Sequence, residues 1–172
     1  IMRRRQRQMC IRDRCGIGGI VSFDNSEIDQ KKSEIIKSSL NHRGPDHSLV
    51  RNISRNCSFI HSRLSIIDLN PRSNQPMSLK DDLYHIVFNG EIYNFKELKK
   101  ELKDHGHEFQ SEGDTEVLLA GYKIFGKEIL HKLIGQFAFV IADFKKRTIF
   151  MARDRIGFCL LYTSPSPRDR IA

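Results

Sequence analysis

The sequence predicts a single α+β domain, because strand-like and helix-like segments follow one another in mixed order between residues 15 and 158. The strand-like segments are short, apolar and rich in β-branched or aromatic residues. The helix-like segments carry apolar residues three or four positions apart. Strands are expected at 15–23, 59–67, 84–88, 136–144 and 148–152, and helices at 28–40, 95–102, 114–122 and 129–134. No internal repeat or domain boundary interrupts this region.

The first strand, 15–23, consists of small and apolar residues, and its glycines suit the close approach of another backbone or of a ligand. The helix after it places four apolar side chains near one face, which predicts that this face is buried. These are Ile28, Ile35, Ile36 and Leu40. A Gly and a Pro in segment 42–46 are typical of a helix end.

The middle of the chain centres on the strand 84–88 and the polar residues that follow it. Segment 59–67 alternates imperfectly but indicates a strand, and 68–78 is expected to be a loop because it contains two prolines. Asn89 and Gly90 are expected to end the strand 84–88. They would present a side-chain amide and a backbone N–H beside a carboxylate, which suits an oxyanion site. The alternative is an ordinary Asn-Gly hairpin turn.

The second half of the chain is expected to contain three helices and a hairpin. Helix 95–102 is amphipathic, with Asn94 as a plausible N-cap and Gly106 just beyond its end. Asp114 begins an apolar helix, and a further helical stripe spans 129–134. Segments 136–144 and 148–152 then read as strand, turn and strand.

Composition excludes several classes of protein. At 172 residues, with 39% hydrophobic and 29% charged residues, the chain has an ordinary globular composition, and no apolar run reaches the roughly 18 residues of a membrane span. The net charge is +8, but segment 1–14 carries +5 and 159–172 carries +1, which leaves +2 for the other 144 residues. A balanced body argues against a nucleic-acid-binding domain. Four cysteines without a CxxC pair favour a reducing compartment, and we expect a cytoplasmic protein.

The two ends differ from the body in composition. Segment 1–14 is rich in Arg and has no apolar periodicity, whereas 159–172 is rich in Pro and Ser. The tripeptide Arg-Asp-Arg occurs in both ends and again at 153–155. We expect both ends to be disordered or foreign to the natural gene, although 1–14 could also be a localisation tail, a nucleic-acid-binding tail or a transit peptide.

Seven motifs occur in order along 15–158 and together resemble one family. They are Cys15-Gly16-Ile17, Arg43-Gly44-Pro45-Asp46, His61-Ser62-Arg63-Leu64-Ser65-Ile66, Gln75-Pro76-Met77, Phe88-Asn89-Gly90-Glu91-Ile92-Tyr93-Asn94, Asp114-Thr115-Glu116 and Arg153-Asp154-Arg155-Ile156-Gly157. The set resembles the glutaminase domain of asparagine synthetase, a class II glutamine amidotransferase and N-terminal-nucleophile hydrolase. The resemblance implies a four-layer αββα sandwich with two mainly antiparallel sheets.

The resemblance also implies a role for particular residues in cleaving the side-chain amide of L-glutamine. Cys15 would be the nucleophile, with its own α-amine as the base, and Asn89 and Gly90 would form the oxyanion hole. Arg63 would bind the α-carboxylate of glutamine, and Asp114 with Glu91 would take its α-ammonium group. The remaining pocket residues would be Leu64, Ser65, Ile66 and Ile67. No metal and no cofactor is expected in this part of the chain.

Each of these residues also has a simpler structural interpretation. Cys15 beside glycines is usually a small core residue. Arg63 can pair with a buried carboxylate, and Asp114 can act only as a helix N-cap. His61 is expected to be structural, and 153–155 an ion-pair element rather than part of the catalytic machinery. The functional interpretation is preferred because the simpler ones require that unrelated structural residues reproduce, by chance, the motifs of one family in their order.

Two departures from the family pattern limit the expected activity. Arg14 precedes Cys15, so Cys15 lacks a free α-amine, and the chain as written is expected to be inactive unless it is cleaved between them. From Cys159 onward the pattern is lost, and no pyrophosphate-binding signature of the synthetase part is present. ATP and Mg²⁺ would bind to that missing synthetase part. The synthetase part would be the partner of this domain in a longer parent protein. That parent protein could be a homodimer.

Three interpretations of function therefore remain open. The first is a glutamine-hydrolysing domain that supplies ammonia for the conversion of aspartate to asparagine, or for amidation of a different carboxylate. The second is a module that binds glutamine without turnover, because Cys15 is not N-terminal. The third, a nucleic-acid binder, depends only on the Arg-rich segment 1–14.

Overall fold

A computed structural model describes residues 15–44, 47–63 and 74–159 of the chain. The elements are β1 (Gly16–Val21), α1 (Gln30–Leu40), β2 (His47–Ser54), β3 (Cys57–Arg63), β4 (Met77–Ser78), β5 (Tyr84–Ile92), α2 (Phe95–Asp104), α3 (Asp114–Phe125), a 3₁₀ helix (Gly126–His131), β6 (Gly135–Asp143) and β7 (Thr148–Arg153). Within these ranges no helix is both long enough and apolar enough to cross a membrane.

The strands form two antiparallel sheets. The first has the order β1-β3-β2, with the fully buried β3 in the middle, and the second has the order β4-β5-β6-β7. In β3, Phe59 faces the second sheet, whereas Ile60 lies on the opposite face.

The space between the sheets is filled by a compact apolar cluster. Its buried members are Cys57, Phe59, Val87 and Ala142, with Ile17, Val21 and Val140 among the partly buried residues packed on them. These residues alternate with others on their strands, so each sheet has one face toward the other sheet and one face toward a helix.

Helices cover the two outer faces and complete four layers. On the first sheet, Ile36 and Leu40 of α1 pack over Gly16 and Gly18, where a Cβ on Gly18 would lie 2.8 Å from Ile36 Cγ2. On the second sheet, α3 packs against β5 and α2 packs against α3. Their core includes Ile86, Phe88, Leu98, Leu102, Val117, Leu118, Phe139 and Ile141. The predicted α+β class and the αββα sandwich are confirmed.

Two expectations about strands were wrong. Strand β5 does not end at Asn89 but continues through Gly90 to Ile92, because β6 pairs with it as far as Gly135, so neither a tip nor a hairpin turn forms there. Strand β2 was not expected, because its sequence, HSLVRNIS, is polar and only partly buried at the edge of the first sheet. A third difference is small: Met77–Ser78, expected to be in a loop, is the short strand β4.

The helices differ from expectation in detail. In α1, Ile35 is 65% exposed and Ser33 is the buried side chain, so Ile36 and Leu40 form the packing face without Ile35. The stripe 129–134 is not a full helix, because the 3₁₀ helix ends at His131. Asn94 stands at the N-cap of α2, but its side chain bonds the backbone of the 3₁₀-helix exit instead of capping, with Lys132 O at 2.8 Å and Ile134 N at 3.0 Å.

Candidate functional site

The register of the first sheet brings the start of β1 beside the end of β3. Gly16 pairs with Ser62 and Ile17 pairs with His61, so the next position along the ladder sets Cys15 opposite Arg63. Ile17 packs into the cluster between the sheets, and alternation therefore assigns Cys15 to the same face. Cys15 is half-buried, and it lies at the edge of the inter-sheet space.

Arg63 is a buried cation at this edge. Its side chain is 9% exposed, and the guanidinium Nη1 donates a hydrogen bond to the amide oxygen of Asn74. Among the described residues no carboxylate forms an ion pair with it, so the simpler interpretation of Arg63 as an arm bound to a carboxylate receives no support there. A guanidinium held by a neutral amide retains donors for a further anion.

Asn89 faces the same inter-sheet space from the second sheet. Val87 packs in the inter-sheet cluster, so Asn89, two positions later on β5, lies on the same face, and it is 7% exposed. Gly90 has φ = +150°, and a Cβ there would lie 2.1 Å from Gln136 O. Only glycine fits this close approach of β5 to β6.

Asp114 lies at the start of α3, beside the end of β5. Its Oδ2 accepts a hydrogen bond from Ile92 N at 3.0 Å, which ties the first turn of α3 to the strand end. Burial raises the pKa of Asp114 to about 6, and the nearby Glu91 carboxylate contributes to the rise. Glu91 itself is exposed. Asp114 is the first residue of α3 and Gly113 is its N-cap, so an N-cap role for Asp114 is contradicted.

His61 is buried on β3, on the same face as Arg63. It is 1% exposed, and the ring lies close to the Phe88 backbone, but neither ring nitrogen makes a hydrogen bond of good geometry within the described part of the chain. Burial, assisted by the nearby Arg63 and His47 and opposed by the Phe88 backbone, lowers its pKa to about 4. A ring with so low a pKa is a weak proton acceptor at pH 7, which favours a structural role over that of a general base.

The structure accounts for part of the predicted set. It gathers Cys15, Arg63 and Asn89 on the facing surfaces of the two sheets, and it holds Asp114 at the end of β5. The predicted pocket residues Leu64, Ser65, Ile66 and Ile67 lie outside the described residues. A cavity of about 540 Å³ lies elsewhere, beside Met77, Phe109 and Glu116, and is lined by none of the predicted residues.

Segment 153–155 has a different role from the expected ion pair. The buried carboxylate of Asp154 accepts hydrogen bonds from four backbone N–H groups, and no ion pair of Asp154 occurs among the described residues. The donors are Phe137, Ile156, Phe158 and Cys159. Burial alone would raise the pKa of Asp154, but these bonds outweigh it and lower the pKa.

Sequence reasoning gave no role to Asn74 and Gln75, although Asn74 contacts a predicted site residue and Gln75 contacts the neighbour of one. Asn74 binds the Arg63 guanidinium, and the Gln75 amide bonds the backbone of Phe88, the residue before Asn89. The available signal was the Gln75-Pro76-Met77 motif. In the ranges 15–44, 47–63 and 74–159, no three His, Cys, Asp or Glu side chains come together as metal ligands.

Comparison with known proteins places this geometry in a family. A model described as "Glutamine amidotransferase domain" matches residues 14–172. Asparagine synthetase [glutamine-hydrolyzing] 3 of Bacillus subtilis is 40% identical over 146 residues, which cover 83% of this chain and 24% of that protein. The asparagine synthetase [glutamine-hydrolyzing] of Zea mays is 41% identical over 151 residues, covering 86% and 25%.

The chain spans about a quarter of the length of these curated relatives. Among solved structures, glutamine phosphoribosylpyrophosphate amidotransferase of B. subtilis matches with a TM-score of 0.48 and 20% identity, over 86% of this chain and 33% of that one. The family match covers nearly the whole sequence, and this chain therefore belongs to the glutamine amidotransferase domain family.

Proposed function

We propose that this domain hydrolyses the side-chain amide of L-glutamine to give L-glutamate and ammonia. The observation that carries the proposal is the register of the first sheet, in which Gly16 pairs with Ser62, so that the preceding residue Cys15 is aligned with the buried cation Arg63. A thiol beside a carboxylate-binding guanidinium suits attack on an amino-acid side chain whose α-carboxylate is held.

The nucleophile is the sulfur of Cys15. When Cys15 is N-terminal, its own α-amine, with an ordinary pKa of about 7.7–8.0, takes the thiol proton. Sulfur then bonds to the amide carbon of glutamine, and the carbonyl electron pair moves to oxygen. The amine returns the proton to the departing nitrogen, which leaves as ammonia, and a glutamyl thioester remains. Water attacks this thioester, releases glutamate and restores the thiol.

The other residues bind the substrate and the developing charge. The side-chain amide of Asn89 and the backbone N–H of Gly90 donate hydrogen bonds to the oxyanion. One such donor lowers the activation barrier by about 3–4 kcal/mol. Arg63 binds the α-carboxylate. Asp114, assisted by Glu91, binds the α-ammonium group.

The fate of the ammonia is proposed from the relatives. Proteins named glutamine-hydrolysing asparagine synthetases match this chain over about a quarter of their length. We assign the use of ATP and Mg²⁺, the amidation of aspartate or of another carboxylate, and any homodimer contact to the parent protein outside residues 15–158. Residues 15–158 are proposed as the amidotransferase domain, with 1–14 and 159–172 as extensions of it.

The experiment compares the chain as written with a chain in which Met directly precedes Cys15. Glutamate release is followed with L-glutamine as substrate, and binding is measured by titration calorimetry. We expect binding by both chains but turnover only by the second, after removal of Met exposes the amine. Cys15→Ala should abolish turnover in the second chain, whereas Cys57→Ala, a change between the sheets, should leave it measurable.

Three outcomes separate the candidate functions. The Arg14–Cys15 peptide bond predicts binding without turnover in the chain as written. Binding without turnover in both chains would favour a glutamine-binding module that stays inactive even when the α-amine of Cys15 is free. Absence of binding in both chains would contradict the proposal. Equal turnover in both chains would contradict the role of the free α-amine.

A further inference from the structure

Gln75 is a buried amide that bonds two separate elements. It is 6% exposed, and its Oε1 accepts a hydrogen bond from Phe88 N at 2.6 Å on β5. Its Nε2 donates to Thr115 Oγ1 at 3.3 Å in the first turn of α3. One side chain therefore joins an inner strand of the second sheet to the helix that covers it.

The register explains why a side chain takes this place. Strand β4 pairs with β5 through Met77 opposite Ile86, so residue 75 falls opposite Phe88. The strand does not extend to that position, and Pro76 has no N–H to donate. The Gln75 side chain thus supplies the acceptor that the ladder lacks, and its second amide group remains available to reach Thr115.

The chain neighbour Asn74 and the two hydrogen-bond partners of Gln75 each contact or adjoin a residue of the proposed site. Asn74, next to Gln75 in the chain, accepts from the Arg63 guanidinium. Phe88 directly precedes Asn89, and Thr115 directly follows Asp114. Gln75 is thus linked, through one neighbour each, to the groups proposed to hold the α-carboxylate, the reacting amide and the α-ammonium group of glutamine.

We propose that Gln75 is a positioning residue that sets the spacing of Arg63, Asn89 and Asp114 and thereby selects an amino acid of the length of glutamine. This inference rests on the proposed function. Gln75 does not touch the substrate in this role. It acts through Asn74, Phe88 and Thr115, and a shift of about 1 Å at the groups they support is enough to cost a large factor in rate or affinity.

The first test measures L-glutamine binding by calorimetry with the full 172-residue chain. Gln75→Met removes both hydrogen bonds at similar volume, Thr115→Val removes one, and Thr115→Ser keeps the hydroxyl. We expect Gln75→Met to weaken binding at least about tenfold and Thr115→Val by a smaller factor, with Thr115→Ser close to the unmodified chain. L-Asparagine is one methylene shorter than L-glutamine. The ratio of the affinity for L-glutamine to that for L-asparagine should be smaller in the variants than in the unmodified chain.

The matched control is Tyr122→Phe, which also removes a buried hydrogen bond, that from Tyr122 to Asp143 Oδ2 at 3.2 Å. It should lower the melting temperature but leave glutamine affinity within about twofold, because the site is not coupled to it. Gln75→Met with an affinity within the same twofold range would overturn the inference.

Hydrogen exchange provides a readout that does not require glutamine. In Gln75→Met the Phe88 amide should exchange faster, and so should the Ile92 amide, whose acceptor Asp114 adjoins Thr115. The Phe139 amide should follow only the global stability. If neither the unmodified chain nor the chain in which Met directly precedes Cys15 binds glutamine, the proposed function is wrong. An Ile92 exchange rate in Gln75→Met equal to that in Tyr122→Phe would instead show that Gln75 does not couple the two elements.

Discussion

The Asp114 carboxylate accepts a hydrogen bond from the backbone N–H of Ile92 at 3.0 Å, and this contact joins the start of α3 to the end of β5. One oxygen of a half-buried acid is thereby oriented by the fold. Burial, together with the nearby Glu91, holds the pKa of Asp114 at about 6, well above its ordinary 3.8. At neutral pH the acid is mostly ionised, and its buried charge is costly for the fold unless a cation pairs with it, which is the role proposed for the ammonium group of glutamine.

Asp114→Asn is expected to stabilise the unliganded protein while weakening its binding of glutamine. The pKa is higher in the folded than in the unfolded chain, so this acid lowers the free energy of unfolding as pH rises from about 4 to 6, and the loss persists above that range. A rise from 3.8 to about 6 corresponds to an upper bound of about 3 kcal/mol. Denaturant unfolding at pH 8 should show a higher free energy of unfolding for the variant, and a lower one would contradict this account.

Glutamine affinity is expected to fall with pH below about 6. A protonated Asp114 cannot pair with an ammonium group, so between pH 7 and pH 5 the Kd should rise about tenfold. The buried His61, with a pKa of about 4, remains neutral over this interval and adds nothing. Calorimetry across the range tests this, with Asp114→Asn as the control that should show a flat profile. A constant Kd in the unmodified chain would argue against an ionic role for Asp114.

Arg63→Lys is expected to weaken glutamine binding at least about tenfold although the charge is kept. A lysine ammonium cannot donate in parallel to a carboxylate and to the Asn74 amide as the planar guanidinium does. Arg55→Lys is the matched control, since the Arg55 side chain is exposed and contacts Glu27 at the surface. Calorimetry with L-glutamine should separate the two variants. Equal affinities would mean that Arg63 does not bind the α-carboxylate.

Gly90→Ala is expected to cost more stability than Gly106→Ala, although both glycines have positive φ. A Cβ on Gly106 meets nothing within 4 Å, so only the backbone penalty of about 1–2 kcal/mol applies there. A Cβ on Gly90 would lie 2.1 Å from Gln136 O, which forces β5 away from β6. Denaturant unfolding should give a loss of about 4 kcal/mol or more for Gly90→Ala. A similar loss of unfolding free energy in both variants would show that β6 can shift away from the added Cβ at little cost.

Local patterns predicted the elements whose information lies within them. The alternation of Thr148–Arg153 and the amphipathic spacing of Phe95–Asp104 each identify a face without reference to the rest of the chain. The pair Asn89-Gly90 wrongly predicted the end of a strand, because its preference for a turn is local. The partner that keeps it extended is β6, more than forty residues away. Strand β2 was missed for a related reason, since a polar edge strand is specified by its neighbour β3 and not by its own pattern.

The sequence by itself determined the layered α+β architecture, the order of seven motifs and the residue types of the candidate site, because periodicity and motif order survive in one dimension. Only the tertiary structure decided that Cys15 stands opposite Arg63, that Asn89 faces the same space from the other sheet, and that Gln75 connects β5 to α3. Register and side-chain hydrogen bonds join residues that are distant in the chain. Their geometry depends on how two sheets and a helix pack, which no local pattern of residues encodes.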